Sequence, residues 1–169
     1  MPETDMAATV AALGATVEAL AARVHQLEDQ LELYQVVARY GPAVDSGDPE
    51  ATAALWLEDG TYETEQTGPM VGRAGIAAMV VGEGHQGLIH GGCGHVLSMP
   101  VVQVDGDHAV LTNHSRLYRK GEDGFDLWLV KANRWELERT DEGWKVRSRV
   151  NRTLDGSPGA RELFAQVQG

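Results

Sequence analysis

Cysteine is nearly absent: Cys93 stands alone among 169 residues. One thiol cannot close an intrachain disulfide, and it cannot supply a zinc site built from several cysteines. Basic residues are also scarce, with 14 Lys and Arg against 25 Asp and Glu and a net charge of −11. Phosphate backbones and anionic bilayers are gripped by clustered Lys and Arg, so neither nucleic acid nor a membrane is an expected partner. The GxxxxGK phosphate loop does not occur, and Gly82, Gly84 and Gly87, which match GxGxxG, follow a helical run rather than a strand, so a bound nucleotide is not expected. No run approaches eighteen apolar residues, so no transmembrane helix is expected. Met1–Asp5 carries neither a basic region nor an apolar signal core, and a cytoplasmic address is the expectation.

What is present suffices for one domain with a core: hydrophobic residues make up 43% of the chain. Val10, Leu13, Val17, Leu20, Val24, Leu27 and Leu31 alternate spacings of three and four. That is an a/d seam over about three heptads, suited to a helix–helix contact with another subunit, and Val at a with Leu at d favours two strands. The alternative is a terminal helix lying on the domain's own core. A helical stretch continues to Ala43, with Leu33, Val36, Val37 and Tyr40 on one side, and Gly41-Pro42 is expected to interrupt it. Asp48 is a good N-cap, followed by Pro49 and Glu50, for a helix carrying Leu55, Trp56 and Leu57. Thr61–Thr64 reads as a short strand and Arg73–Val81 as a third helix. Six glycines between Gly82 and Gly94 predict a flexible loop at a pocket rim.

From His95 the pattern is β. Runs over 95–104, 108–119, 125–139 and 144–154 are separated by Asp-Gly-type turns, the signal of sequential hairpins. Helices first and hairpins after predict an α+β domain: a cone-shaped, curved, mostly antiparallel sheet with three helices enclosing a pocket. The expected organisation is a heptad helix over 1–30, the α+β domain over 31–156, and a C-terminal helix or arm over 157–169.

Three histidines, His85, His90 and His95, fall in or beside the glycine-rich stretch. Their spacing of five is not a helical i,i+4 pair and HExxH is absent, so no metal is expected. His114 lies mid-strand; alternation puts Thr112, His114 and Arg116 on one face and Leu111, Asn113, Ser115 and Leu117 on the other. The first face either lines a pocket or meets solvent. Asp48 is explained by its cap, whereas Asp45 is not needed for the turn and could point inward to orient a histidine. Trp56, Trp128, Trp135 and Tyr62 suit a core or a pocket wall.

Several stretches resemble the SnoaL-like branch of the nuclear transport factor 2-like superfamily. They are Tyr34–Asp48, Trp56–Tyr62, Gly72–Ile76, His95–Asp107 and Gly143–Arg149. Within it the chain is similar to scytalone dehydratase, bile-acid dehydratase and hexachlorocyclohexane dehydrochlorinase. The resemblance implies a cofactor-independent elimination of water or HCl from a small, largely apolar cyclic or polyketide-like substrate. It implies a catalytic His95–Asp45 dyad with Tyr40, and substrate contacts from His114 and Arg149, with Trp56 and Tyr62 at the ligand wall. Histidine titrates near neutrality and suits a general base, and a buried aspartate would fix its tautomer. The same groups would serve a ketosteroid-isomerase-like or cyclase proton shuttle, and a non-catalytic ligand-binding module is the further alternative. Dehydratase relatives also imply a homotrimer, against the two strands favoured by the heptads.

Overall fold

The computed structural model describes residues 3–165, with side chains from residue 6. Helix α1 (Glu3–Asp45) is continuous for 43 residues, about 64 Å at 1.5 Å per residue. Its first thirty residues are rich in Ala, Leu, Glu and Gln, all strong helix formers. Gly41-Pro42 does not break it, contrary to expectation. Pro42 sits in the last turn, its carbonyl still accepts from the Ser46 amide, and Gly41 is kept for space. A Cβ at Gly41 would lie 2.4 Å from the His95 carbonyl oxygen, so glycine lets α1 touch the strand behind it.

Helix α2 (Pro49–Ala53) is capped as expected, with the Asp48 carboxylate accepting from the Ala51 amide. It is shorter than predicted: Trp56 and Leu57 belong to strand β1 (Trp56–Thr64). Strand β2 (Gly68–Val71) pairs with β1, and helix α3 (Gly72–Val81) follows. The glycine-rich stretch is not a loop but a helix, α4 (Glu83–Gly91), closed by Gly92 at φ +87°. Its glycines cost helix propensity, yet Leu88 and His85 turn towards the cavity described below.

The expected run over 95–104 is two strands, β3 (Cys93–Leu97) and β4 (Val101–Asp105), parted at Pro100, which cannot donate to a ladder. Both pair with β5 (His108–Lys120). Strands β6 (Phe125–Thr140) and β7 (Gly143–Thr153) complete the meander, and β1 adds parallel to β7. The sheet order is β2-β1-β7-β6-β5-β3, with β4 beside β5. Helix α5 (Pro158–Ala165) packs on β6 and β7.

Leu33, Val37, Tyr40 and Val44 of α1 meet Trp56, Ile76, Val80, Trp135, Leu137 and Val146 in one core. Trp56 and Trp135 are fully buried there, and large aromatics dominate such an interior. The tip of the β6–β7 hairpin ties α1 in place. Asp29 accepts from Arg139 (2.5 and 2.7 Å) and from Trp144 Nε1, and Glu32 accepts from the Trp144 amide. Above that clamp the helix projects alone: Met6, Val10, Leu13, Val17, Leu20, Val24, Leu27 and Leu31 are 49–64% exposed. By length and composition α1 could cross a bilayer, contrary to the reading from apolar runs. Alanines carry that average, and Glu18, Arg23 and Glu28 interrupt it.

Candidate active site

Asp45 is the last residue of α1 and His95 lies in β3, and the close approach permitted by Gly41 brings them together. The Asp45 carboxylate grips His95 twice: Oδ1 accepts from ring Nδ1 at 2.5 Å, and Oδ2 accepts from the His95 amide at 2.7 Å. The second bond fixes the carboxylate against the strand and the first fixes the ring. With Nδ1 engaged, Nε2 is the nitrogen left for chemistry. Burial pushes the Asp45 pKa up, but the His95 hydrogen bonds and charge outweigh it, so the carboxyl stays below its ordinary range and ionised.

His95 borders a cavity of about 790 Å³, a size that suits a small organic ligand. Its walls are mainly apolar, from Met79 and Leu88 of the helices and Leu117, Trp128 and Leu129 of the sheet. Tyr40 and Tyr62 also line it. The Tyr40 ring stands edge-on to His95, Trp56, Tyr62 and Trp135 at 5.9–6.4 Å. Burial first, then the neighbouring Tyr62, holds its phenol pKa far above the ordinary value. Tyr40 is therefore a neutral hydrogen-bond donor across the physiological range.

Below His95 lies a smaller chamber of about 60 Å³, sharing Tyr62, His95, Leu117, Leu129 and Lys131 with the large cavity. Arg149 and Asn151 close its floor. The Arg149 guanidinium is 99% buried and lies 4.0 Å from the Tyr40 and Trp135 ring centres. Its Nε and Nη2 donate to Asn133 Oδ1, Asn133 Nδ2 donates in turn to Ser115 Oγ, and Trp135 Nε1 donates to Asn113 Oδ1. Asn151 donates to the Tyr62 hydroxyl and accepts from Lys131. Desolvation, then the Arg149 charge, lowers Lys131 to about 8.

Two expected ligand contacts lie elsewhere. His114 does not border the cavity: it is exposed on the outer sheet face, its ring 4.8 Å from Phe164 of α5. Alternation had left that face open between pocket and solvent, and α5 with solvent takes it. Trp56 is fully buried behind Tyr40 and Tyr62 rather than at the cavity surface. His85, weighed in the sequence only as a metal ligand, has its ring 5.7 Å from His95 and its Nε2 bonded to the Val44 carbonyl, and Lys131 was not singled out. The alternation Leu129, Lys131, Asn133, Trp135 in one strand was the available signal for Lys131.

Asp45, Cys93 and His95 each offer a ligand atom within 4.8 Å of the others. Burial, then the adjacent Asp45, raises the Cys93 thiol and keeps it protonated. A cation there would have to displace that proton and break the His95–Asp45 bond, so these donors fit a dyad better than a metal.

A SnoaL-like domain profile matches residues 25–150. An NTF2-like protein with a cystatin-like fold from Novosphingobium aromaticivorans is 45% identical over 85% of this chain and 94% of its own, with a TM-score of 0.83. A provisional scytalone dehydratase of the same species (21% identity, 76% and 85% coverage, TM-score 0.64) shares the fold. So does a Catenulispora acidiphila protein solved with S-DNPA (21%, 73% and 91%, 0.64). No curated protein matches the chain. Profile, fold and the 45% identical structure together make this chain a member of the SnoaL-like domain family, within the nuclear transport factor 2-like superfamily.

Proposed function

We propose that the protein is a cofactor-independent lyase, a dehydratase or similar elimination catalyst acting on a small, largely apolar cyclic or polyketide-like molecule. The observation that carries this is the 2.5 Å His95–Asp45 contact at the edge of a mostly apolar cavity. His95 Nε2 takes a proton from carbon beside an activating carbonyl, and ionised Asp45 stabilises the imidazolium and holds its tautomer. Tyr40, a neutral phenol, donates to the carbonyl or to the departing oxygen. The proton on His95 then leaves with the hydroxyl as water. The scytalone dehydratase relative supports the reaction class, and the complex with S-DNPA supports a small-molecule ligand. Isomerisation would begin with the same proton abstraction, and the two differ only in whether a leaving group departs.

The test is dehydration of bicyclic β-hydroxy ketones, followed by enone absorbance. The wild type should turn one of them over. His95→Gln should remove turnover, and Tyr40→Phe should lower it while leaving the thermal midpoint nearly unchanged. Migration of a double bond without loss of water would favour the isomerase. Turnover equal in wild type and His95→Gln would end both enzymatic readings. Tyr40→Phe unfolding with no separate functional loss would make Tyr40 a core residue.

The chain also presents two apolar surfaces to solvent: the α1 stripe, and Val96, Val101, Val104, Phe125 and Leu127 on the sheet. Patches this extensive favour association, and we propose a homo-oligomer, with the sheet surfaces supporting a trimer and the helices packing on neighbouring subunits. Light scattering on the full chain and on a version lacking residues 1–28 tests it. A monomeric full chain contradicts it, and a dimer that dissociates on truncation assigns assembly to the heptads.

A further inference from the structure

The charges around the two cavities run against the composition of the chain. Acidic residues outnumber Lys and Arg by 25 to 14, yet Arg119, Lys131 and Arg149 line the cavities and, among the described residues, no Asp or Glu does. Neither Lys131 nor Arg149 has a carboxylate within 4.0 Å among the described residues. Lys131 Nζ is held by neutral groups, Gln66 Oε1 at 2.5 Å and Asn151 Oδ1 at 3.3 Å. Glu65, two positions from Thr67 at the cavity wall, accepts from the Thr153 amide and hydroxyl and acts on Lys131 only through longer-range charge, without an ion pair. Arg149 is surrounded by neutral groups, the Asn133 amide oxygen and the rings of Tyr40, Tyr62 and Trp135, with the Tyr40 phenol also interacting with its charge. Its Nη1 is fully buried and has no partner.

A buried guanidinium without a counter-ion is costly, and an unpaired donor adds to the cost. Structures tolerate such an arrangement where a ligand completes it. The chamber shared by Lys131 and Arg149 has about 60 Å³, room for a carboxylate-sized group or a few waters. A neutral carbonyl oxygen needs one or two dipolar donors, whereas two full charges with no acid between them match a full negative charge. Among the described residues the acid beside His95 is Asp45, which is already committed to it.

We infer that the substrate is an organic acid: its carboxylate enters the small chamber between Lys131 and Arg149, and its apolar ring body fills the large cavity beneath Leu88 and Trp128. This rests on the elimination reading for the role of His95, and it adds that Lys131 is a specificity-determining residue. His95, at the boundary of the two cavities, then faces carbon atoms near the anchored end of the molecule.

Calorimetric titration with 1-naphthoate and with its neutral amide, 1-naphthamide, at pH 7 tests this on the full chain. Naphthoate should bind at least about tenfold more tightly than the amide to the wild type and to His95→Gln alike. Lys131→Gln should weaken naphthoate about tenfold and leave the amide unchanged, and Lys131→Arg should keep most of the naphthoate affinity. Equal affinity for acid and amide, no naphthoate binding at millimolar concentration, or full binding by Lys131→Gln would each overturn the inference. The acid–amide comparison needs no variant, so it holds even if Lys131→Gln fails to fold. Because His95→Gln retains the anchor, failure of the proton-transfer reading shows in its turnover and failure of the anion site shows in its binding.

Discussion

The two halves of α1 carry the same kind of apolar repeat and have opposite fates. Leu33, Val37, Tyr40 and Val44 are 0–3% exposed, whereas every a/d residue from Met6 to Leu31 is about half exposed. The change falls between Leu31 and Leu33. Two residues turn an α-helix by about 200°, so the apolar face crosses to the other side of the same helix. Positions that continue the buried face backwards are Gln30, Gln26, Arg23 and Ala19, which are polar or small. The domain's own core therefore cannot cover the first stripe even if the helix bends. One half of the helix closes the pocket and delivers Tyr40 and Asp45, and the other half presents to solvent the stripe proposed above to meet another subunit.

Exchanging aspartates along this helix separates the halves most sharply. Asp45→Asn should lower turnover by about 10²–10⁴-fold, because it removes the group that holds the tautomer of His95. Asp29→Asn, at the junction clamp, should leave turnover within about twofold. Equal losses would make Asp45 merely structural.

Leucine truncation comes next in size. Leu33→Ala should cost about 2–5 kcal/mol in urea unfolding. Leu20→Ala should change the stability of the dissociated chain by no more than about 0.5 kcal/mol, and should instead raise the concentration at which light scattering detects association. A Leu20→Ala cost comparable to that of Leu33→Ala would mean that the stripe packs on its own domain.

The smallest effect is the pH dependence of the clamp. Hydrogen bonds from Arg139 lower the Asp29 pKa, against a smaller opposing effect of burial. A carboxylate depressed in the folded state contributes stability that is present above the unfolded value near 4 and is lost as pH falls through the folded value. Asp29→Asn should thus cost about 1 kcal/mol at pH 7, and the deficit should shrink below pH 4. A constant deficit down to pH 2 would assign the cost to packing.

The strands from β5 to β7 and the cap at Asp48 were legible in the sequence because period-two alternation, Asp-Gly turns and a capping side chain are local signals. Three features were not. Gly41-Pro42 reads as a helix break, and only the contact with His95 explains the glycine. The Gly82–Gly94 stretch reads as a loop, and only a wall in need of Leu88 makes it a helix. Trp56 lies in a strand because β1 pairs in parallel with β7, a contact about ninety residues away. The approach of Asp45 and His95 came from family resemblance joined to an aspartate with no local task. Alternation in β6 could have placed Lys131 on the pocket face, but the lack of an ion-pair partner there and the orphan Nη1 of Arg149 emerged only from the folded chain, since the absence of a counter-ion is a three-dimensional fact.

The central claim is that His95, oriented by Asp45, removes a proton from carbon in this cavity. Deuterium wash-in from D₂O beside the carbonyl of bicyclic ketones, neutral and carboxylated, read by mass spectrometry, measures that step alone. The account predicts exchange by the wild type at least about 10²-fold above buffer, slowed in Asp45→Asn and reduced to the buffer rate in His95→Gln. Exchange at the same rate in wild type and His95→Gln would contradict it.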